Sequence, residues 1–146
     1  MPTVLILCTG NSCRSQMAEA LVNHDLANSW DAVSAGTEPA GFVHPLAVRV
    51  LAEIGIDIAE ARSKSLDEFL DAHFDLVITV CDDAAENCPL WLRQGQVAHI
   101  GFPDPAKASG SLAEQMAVFR QARDDIRRRL VGYLAARQDG AMRVDG

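Results

Sequence analysis

At 146 residues the chain suits a single domain with a sizeable core, and 49% hydrophobic with 23% charged residues is the mix of a soluble globular protein. The net charge of −7 argues against nucleic acid as a general partner, so that any anionic ligand has to be attracted by local design. No run approaches the ~20 apolar residues of a membrane span and nothing near Met1 reads as a signal peptide, which predicts a cytoplasmic protein whose thiols stay reduced.

Val4-Leu5-Ile6-Leu7-Cys8 is a continuous apolar run, the pattern of a parallel strand buried on both faces. A helix follows over residues 15–27, with Met17, Ala20, Leu21 and His24 expected on one side. Ala32-Val33-Ser34-Ala35 reads as a short strand closed by Gly36. A second helix runs over 45–54, with Pro45 at its first position, Gly55 after its last, and Ala47, Val50, Leu51 and Ile54 as its buried stripe. A short helix is expected near 65–70. Asp75-Leu76-Val77-Ile78-Thr79-Val80-Cys81 is the second clear buried strand, and Val97-Ala98-His99-Ile100 a shorter one. Ser111 and Glu114 are spaced as a capping box for the longest helix, with Leu112, Met116, Phe119, Ile126, Leu130 and Tyr133 as its buried face. The domain is expected to span 1–137, with 138–146 a flexible tail. Strands alternating with helices predict an α/β fold: one four-stranded parallel sheet with helices on both faces.

The chemistry concentrates in Cys8-Thr9-Gly10-Asn11-Ser12-Cys13-Arg14-Ser15. A thiol, five spacers and an arginine occupy a turn between a strand and a helix. Backbone N–H groups there curl into an anion-binding concavity, and the helix aims its positive end at the same point. Gly10 is expected to supply conformations closed to other residues. Arg14 adds a planar fork for two oxygens of an oxyanion, and the same field is expected to make Cys8 a thiolate. The oxyanion-binding set is therefore Thr9, Gly10, Asn11, Ser12, Cys13 and Arg14, with Cys8 as nucleophile beneath the central atom. In open parallel sheets sites form at the carboxyl ends of strands. Cys8, Cys81 and the loop Gly101-Phe102-Pro103-Asp104-Pro105 each follow a strand and should converge on one rim.

This loop resembles the phosphate loop of the low-molecular-weight protein tyrosine phosphatases, and more closely that of the thioredoxin-coupled arsenate reductases sharing their fold. Ser34-Ala35-Gly36-Thr37, Thr79-Val80-Cys81-Asp82, Cys88-Pro89 and Phe102-Pro103-Asp104-Pro105-Ala106 extend the likeness to the reductase branch, over nearly the whole chain. The resemblance implies that Cys8 attacks arsenate held by the loop amides and Arg14, and that Ser15 donates a hydrogen bond to the Cys8 thiolate. It implies that Asp104 protonates the departing oxygen. It further implies a relay, in which a Cys8–Cys81 disulfide passes to Cys81–Cys88 and thioredoxin reduces the last bond. No tightly bound cofactor is implied, the electrons coming from reduced thioredoxin. Phosphate or sulfate would serve as substrate analogues. If residues 82–87 are helical, Cys81 and Cys88 lie ~10 Å apart along the axis. A disulfide needs Cα atoms within about 7 Å, so oxidation should unwind and expose this segment.

Blander readings stand beside these. Ser15 suits a helix N-cap, Asp104 between two prolines suits a turn, and Cys13 suits a small buried residue. The gap between Cys81 and Cys88 lacks the C-x2–4-C spacing of zinc sites, so no metal centre is expected. Trp30 and Trp91 read as packing, the four histidines as structural or surface, and Arg127-Arg128-Arg129 as a solvated face. Some relatives of this type carry a potassium site using residues that match Asn11 and Glu19. The further aligned stretch here is Ala61-Arg62-Ser63-Lys64, so a Lys64 ammonium is expected where the cation would stand. Two alternatives remain: a tyrosine phosphatase using Cys8, Arg14 and Asp104, and a non-catalytic thiol binder of arsenite or a soft metal. A monomer is expected, with no nucleic acid or membrane partner.

Overall fold

A computed structural model describes residues 1–89, 92 and 95–137; Trp91 and the tail 138–146 lie outside the described residues. β1 (Thr3–Cys8), β2 (Asp31–Gly36), β3 (Leu76–Thr79) and β4 (Val97–His99) form one parallel sheet in the order β2-β1-β3-β4. Residues 4–8 and 76–79 are all buried. Successive strand residues point to opposite faces, so both faces of the sheet centre are covered, as the continuous apolar runs predicted. The helices whose bounds are described are α1 (Arg14–Asp25), α2 (Pro45–Ala52), α3 (Asp82–Glu86) and α4 (Leu112–Ile126). α1, α2 and α4 pack on one another, and α3 packs on β1 and β3. No helix among the described residues is long and apolar enough to cross a membrane.

Boundaries follow local chemistry. Pro45 opens α2 after His44, whose Nδ1 accepts from the Leu46 amide at 3.1 Å. Gly55 beyond it takes φ +82°, the conformation that favours glycine. The expected short helix is a 3₁₀ turn, Leu66–Phe69, capped by Ser65. The capping box of α4 is complete, with Ser111 Oγ accepting from the Glu114 amide at 3.1 Å and Glu114 Oε1 from the Ser111 amide at 3.2 Å.

Several expectations are corrected. α1 buries Met17, Ala18, Leu21 and Val22, which turns His24 outward, where it bonds Asp25 at 2.9 Å. Ser15 is not a cap: α1 starts one residue earlier, its N-cap is Cys13, and that cap makes no side-chain bond. β3 stops at Thr79, and Cys81 instead caps α3, its sulfur accepting from the Ala84 amide. Leu112 is 55% exposed: it lies in line with the stripe of Met116, Phe119, Arg123 and Ile126, but it is the first residue of α4, at the end of that stripe. After Ile126 the helix widens into a π-turn, Arg127–Val131. A π-turn takes up an extra residue, so the buried stripe slips by one: Leu134 is fully buried, whereas Tyr133 is only half-buried.

Candidate active site

The Leu7↔Thr79 pairing of β1 with β3 is what brings the two cysteines together. Both strands are central and parallel, so the residues following them leave the sheet side by side. Val80 still bonds Leu7, its amide donating to the carbonyl at 3.0 Å, and Cys81 comes next. The Cys8 and Cys81 thiols are close enough to shift each other's titration, Cys8 up and Cys81 down, although the residues are far apart in sequence. None of the four cysteines is in a disulfide, and all are buried.

Residues 9–13 curl around Cys8. Almost every loop carbonyl is taken from outside. Those of Cys8, Thr9, Gly10 and Ser12 accept from the amides of Thr37, Glu38, Ala40 and His44 at 2.8–3.1 Å. The N–H and C=O of one trans peptide plane point opposite ways, so outward carbonyls leave the loop amides turned inward. The Thr9 amide and Arg14 both favour a negative charge on the Cys8 sulfur. Together with the head of α1 this is a concavity for a tetrahedral anion.

The special backbone position is Asn11, at φ +49°, and not Gly10, which has an ordinary φ. Asparagine tolerates this region better than most residues, and here its side chain fixes it. Asn11 is fully buried. Its Nδ2 donates to Ser15 Oγ (2.8 Å) and Ser34 Oγ (2.9 Å), and its Oδ1 accepts from Gln16 Nε2 (2.9 Å) and the Lys64 amide (2.7 Å). Among the described residues Ser15 Oγ therefore bonds Asn11, and no Ser15–Cys8 bond is present. Gly36 carries the other constraint: a Cβ there would lie 2.4 Å from the Thr9 carbonyl oxygen. Lys64 reaches Glu19, with its Nζ 3.4 Å from Oε1, and Glu19 also accepts from Ser34 Oγ at 3.0 Å.

Arg14 closes one side. Its Nη1 donates to the Phe102 carbonyl at 2.9 Å, and its Nη2 lies 3.9 Å from Asp104 Oδ2. Asp104 also behaves as the turn residue it resembled, its Oδ1 accepting from the Ala106 amide at 3.0 Å to cap the 3₁₀ turn Pro105–Lys107. One side chain thus serves both readings. A cleft of ≈ 790 Å³ opens above, lined by Thr9, Arg14, Cys81, Asp83 and Asp104 among others. Cys81 is part of this lining and Cys8 is not.

Each thiol shifts the titration of the other. Its neighbour Cys81 and its burial push the Cys8 thiol up. Cys81 is pushed down to about 5, because the Cys8 S–H, the Thr9 hydroxyl (3.3 Å) and the Ala84 amide (3.4 Å) all favour its thiolate. In the ligand-free pair, Cys81 and burial oppose the thiolate expected at Cys8, while Arg14 and the Thr9 amide favour it. Thr9 Oγ1 also donates to Asp83 Oδ2 at 2.8 Å. Burial pushes Cys13 up to about 11, in keeping with a small core residue. Cys88 is buried beyond Asn87, the C-cap of α3. One helix, α3, separates it from Cys81.

Sequence reasoning found Cys8, Arg14, Cys81 and Asp104 at one rim. It assigned Asn11 to anion binding and only secondarily to bracing, and it missed Gly36 and Asp83. The signal for Asn11 was present, since asparagine beside glycine in a tight loop is a left-handed candidate.

The model of the family described as low molecular weight phosphotyrosine protein phosphatase matches residues 3–141. An arsenate reductase of Halalkalibacterium halodurans is 49% identical over 127 residues, which is 87% of this chain and 91% of that protein. A solved arsenate reductase in the phosphate-binding state superposes with a TM-score of 0.79 at 32% identity, covering 93% of this chain and 98% of that one. A Corynebacterium glutamicum thioredoxin-dependent arsenate reductase gives 0.67 at 29% identity, covering 93% of this chain and 63% of that one.

Proposed function

The chain belongs to the low-molecular-weight phosphotyrosine protein phosphatase family, and from that premise we propose that it reduces arsenate to arsenite and is recharged by thioredoxin. The observation that carries this reading is the placement of Cys81 beside Cys8, set by the Leu7↔Thr79 pairing and by the 3.3 Å contact of the Cys81 sulfur with the Thr9 hydroxyl. A phosphatase needs one cysteine at the floor of the loop and returns it unchanged. A second thiol beside the first is what a two-electron reduction needs.

Arsenate is held by the loop amides and Arg14. The Cys8 proton crosses to Cys81, leaving Cys8 as a thiolate that Arg14 and the Thr9 amide favour. Cys8 displaces one oxygen from arsenic(V), and that oxygen departs as water with a proton from Asp104. Cys81 gives up its proton towards Thr9 and Asp83 and attacks the Cys8 sulfur. A Cys8–Cys81 disulfide forms, and the S–As bond breaks with its electron pair left on arsenic, which departs as arsenite. Cys88 then attacks the Cys81 sulfur and expels Cys8 as thiolate. The dithiol of thioredoxin reduces Cys81–Cys88, supplying the two electrons. Ser15 acts through Asn11 by holding the loop backbone.

Arsenate turnover with thioredoxin, thioredoxin reductase and NADPH tests this on wild type and on Cys8→Ser, Cys81→Ser and Cys88→Ser. Cys88→Ser is expected to release one arsenite per enzyme and stop, since Cys8–Cys81 then has no resolving thiol. Full turnover in that variant removes the relay from the mechanism. The family match also favours a weak phosphatase side activity, because a loop that binds arsenate binds phosphate esters by the same groups.

A further inference from the structure

We propose that Arg129, on the π-turn after α4, is a positioning residue that holds the loop carrying Asp104 over the anion cradle. The proposal rests on Asp104 acting as the proton donor.

The loop from β4 to Asp104 is tied to the β3 segment by two amides, Ile100 donating to the Thr79 carbonyl at 2.9 Å and Phe102 to the Val80 carbonyl at 3.0 Å. Two arginines hold the remainder from opposite sides. Arg14 takes the Phe102 carbonyl from the cradle side. Arg129 takes the preceding carbonyl, Gly101, at 3.2 Å, and its guanidinium carbon lies 4.7 Å from the centre of the Phe102 ring. Phe102 is buried, so its ring cannot turn away without breaking that stack. Two successive carbonyls and one ring are therefore fixed two residues upstream of Asp104. Asp125 in turn orients Arg129, with Oδ2 at 3.3 Å from its Nη1.

The π-turn makes this reach possible. A regular α-helix advances ~100° per residue, whereas a π-turn takes up one more residue per turn and rotates the side chains beyond it. The three arginines of this turn point to different places: Arg127 pairs with Asp25 of α1, Arg128 and Arg129 both reach Asp125, and Arg129 alone also reaches the Gly101 carbonyl. π-turns cost helix regularity and recur at functional sites. A solvated charge run, the expectation from sequence, would need neither the wide turn nor the stack.

The test uses Arg129→Met, which keeps a chain against Phe102 but removes the planar charge and the donor. The side chain is 41% exposed, so the variant is expected to fold. kcat/KM is measured for aryl phosphates of graded leaving-group acidity, alongside phosphate affinity, with Asp104→Asn as reference. A displaced acid costs most where the leaving group most needs a proton. Arg129→Met should lose about tenfold or more on phenyl phosphate, a tenth or less of what general acid catalysis can supply, and little on p-nitrophenyl phosphate. Phosphate affinity should stay unchanged. Arg129→Lys, which keeps a donor for Gly101, should recover part of the loss. In arsenate reduction the double variant Arg129→Met/Asp104→Asn should be no slower than Asp104→Asn alone. An equal loss on both esters, or a parallel loss of phosphate affinity, overturns the role of Arg129. If Asp104→Asn itself shows no leaving-group dependence, the acid role falls and this proposal with it, an outcome distinct from failure at Arg129 alone.

Discussion

Replacing Cys8 by serine should raise the pKa of Cys81, although Cys81 itself is untouched. Its thiol is pushed down to about 5, with Cys8 as the largest cause. Serine keeps a weaker donor, while Thr9, Ala84 and Arg14 remain, so the value should climb part of the way to the ordinary ~8.5. The pair also predicts how stability depends on pH. Between about 5 and ~8.5 the folded pair has released one proton while the unfolded chain keeps both, so stability rises with pH, at up to about 1.4 kcal/mol per pH unit. Above ~8.5 the unfolded chain releases both thiol protons, whereas folded Cys8, pushed up, keeps its own. Stability then falls. A maximum near pH 8.5 is thus the signature of opposite shifts in the two thiols. Thiolate absorbance against pH, and urea denaturation of reduced protein over the same range, measure the two effects. The wild-type curve minus that of Cys8→Ser removes the histidine and carboxylate contributions. A Cys81 midpoint that stays near 5 in Cys8→Ser would show that Cys8 does not shift Cys81, and the reasoning fails.

Gly36→Ala should weaken both fold and anion binding, since the added Cβ meets the Thr9 carbonyl at 2.4 Å and the Asn11 amide at 3.2 Å, backbone atoms that move only if the loop moves. A cost of about 1–3 kcal/mol in urea denaturation is expected, with weaker phosphate binding, and wild-type phosphate affinity would contradict it. Arsenate turnover should be the same in potassium and in sodium salts, because the Lys64 ammonium occupies Glu19; clear activation by potassium refutes this. Lys64→Met should leave Glu19 uncompensated and make the rate respond to added monovalent cations. Forming Cys81–Cys88 should strip protection from the amides of α3, such as Asn87, which bonds the Asp83 carbonyl at 2.9 Å in the reduced protein. Equal hydrogen exchange over residues 82–89 in both redox states would mean that α3 does not unwind.

Signals that depend on a strand's own residues were legible. Burial on both faces of β1 and β3 followed from unbroken apolar runs, and their parallel pairing made Cys8 and Cys81 neighbours before any contact was known. What escaped was whatever depends on registry between distant segments. Gly10 looked like the strained residue because glycine is the usual one, yet the loop turns at Asn11, whose four bonds reach α1, β2 and the backbone of Lys64. Tyr133 fitted a 3.6-residue stripe until the π-turn shifted the buried position to Leu134. Nothing local to 127–131 announces that turn, because Arg127 and Arg129 meet partners far away in the chain, Asp25 and Gly101. Ser15 carried a capping signature, but Asn11 took its hydroxyl.

The charge of −7 bears on how such a site can turn over. Glu38, Asp82, Asp83 and Asp104 stand around the cleft, against Arg14 and Lys107. At the Debye length of physiological salt, about 8 Å, an approaching anion meets the rim first, and its field is repulsive. Attraction begins only where the loop amides and Arg14 come within hydrogen-bond reach, so affinity depends on the anion's charge and tetrahedral shape at short range. On the proposed reading the reaction removes both at once. Arsenate enters as a tetrahedral anion, and arsenite leaves as a pyramidal species that is uncharged at neutral pH. Nothing in the cradle then favours the product over water. On that reading the same acidic rim that slows entry would also keep a second anion from crowding the loop during the Cys8–Cys81 disulfide stage.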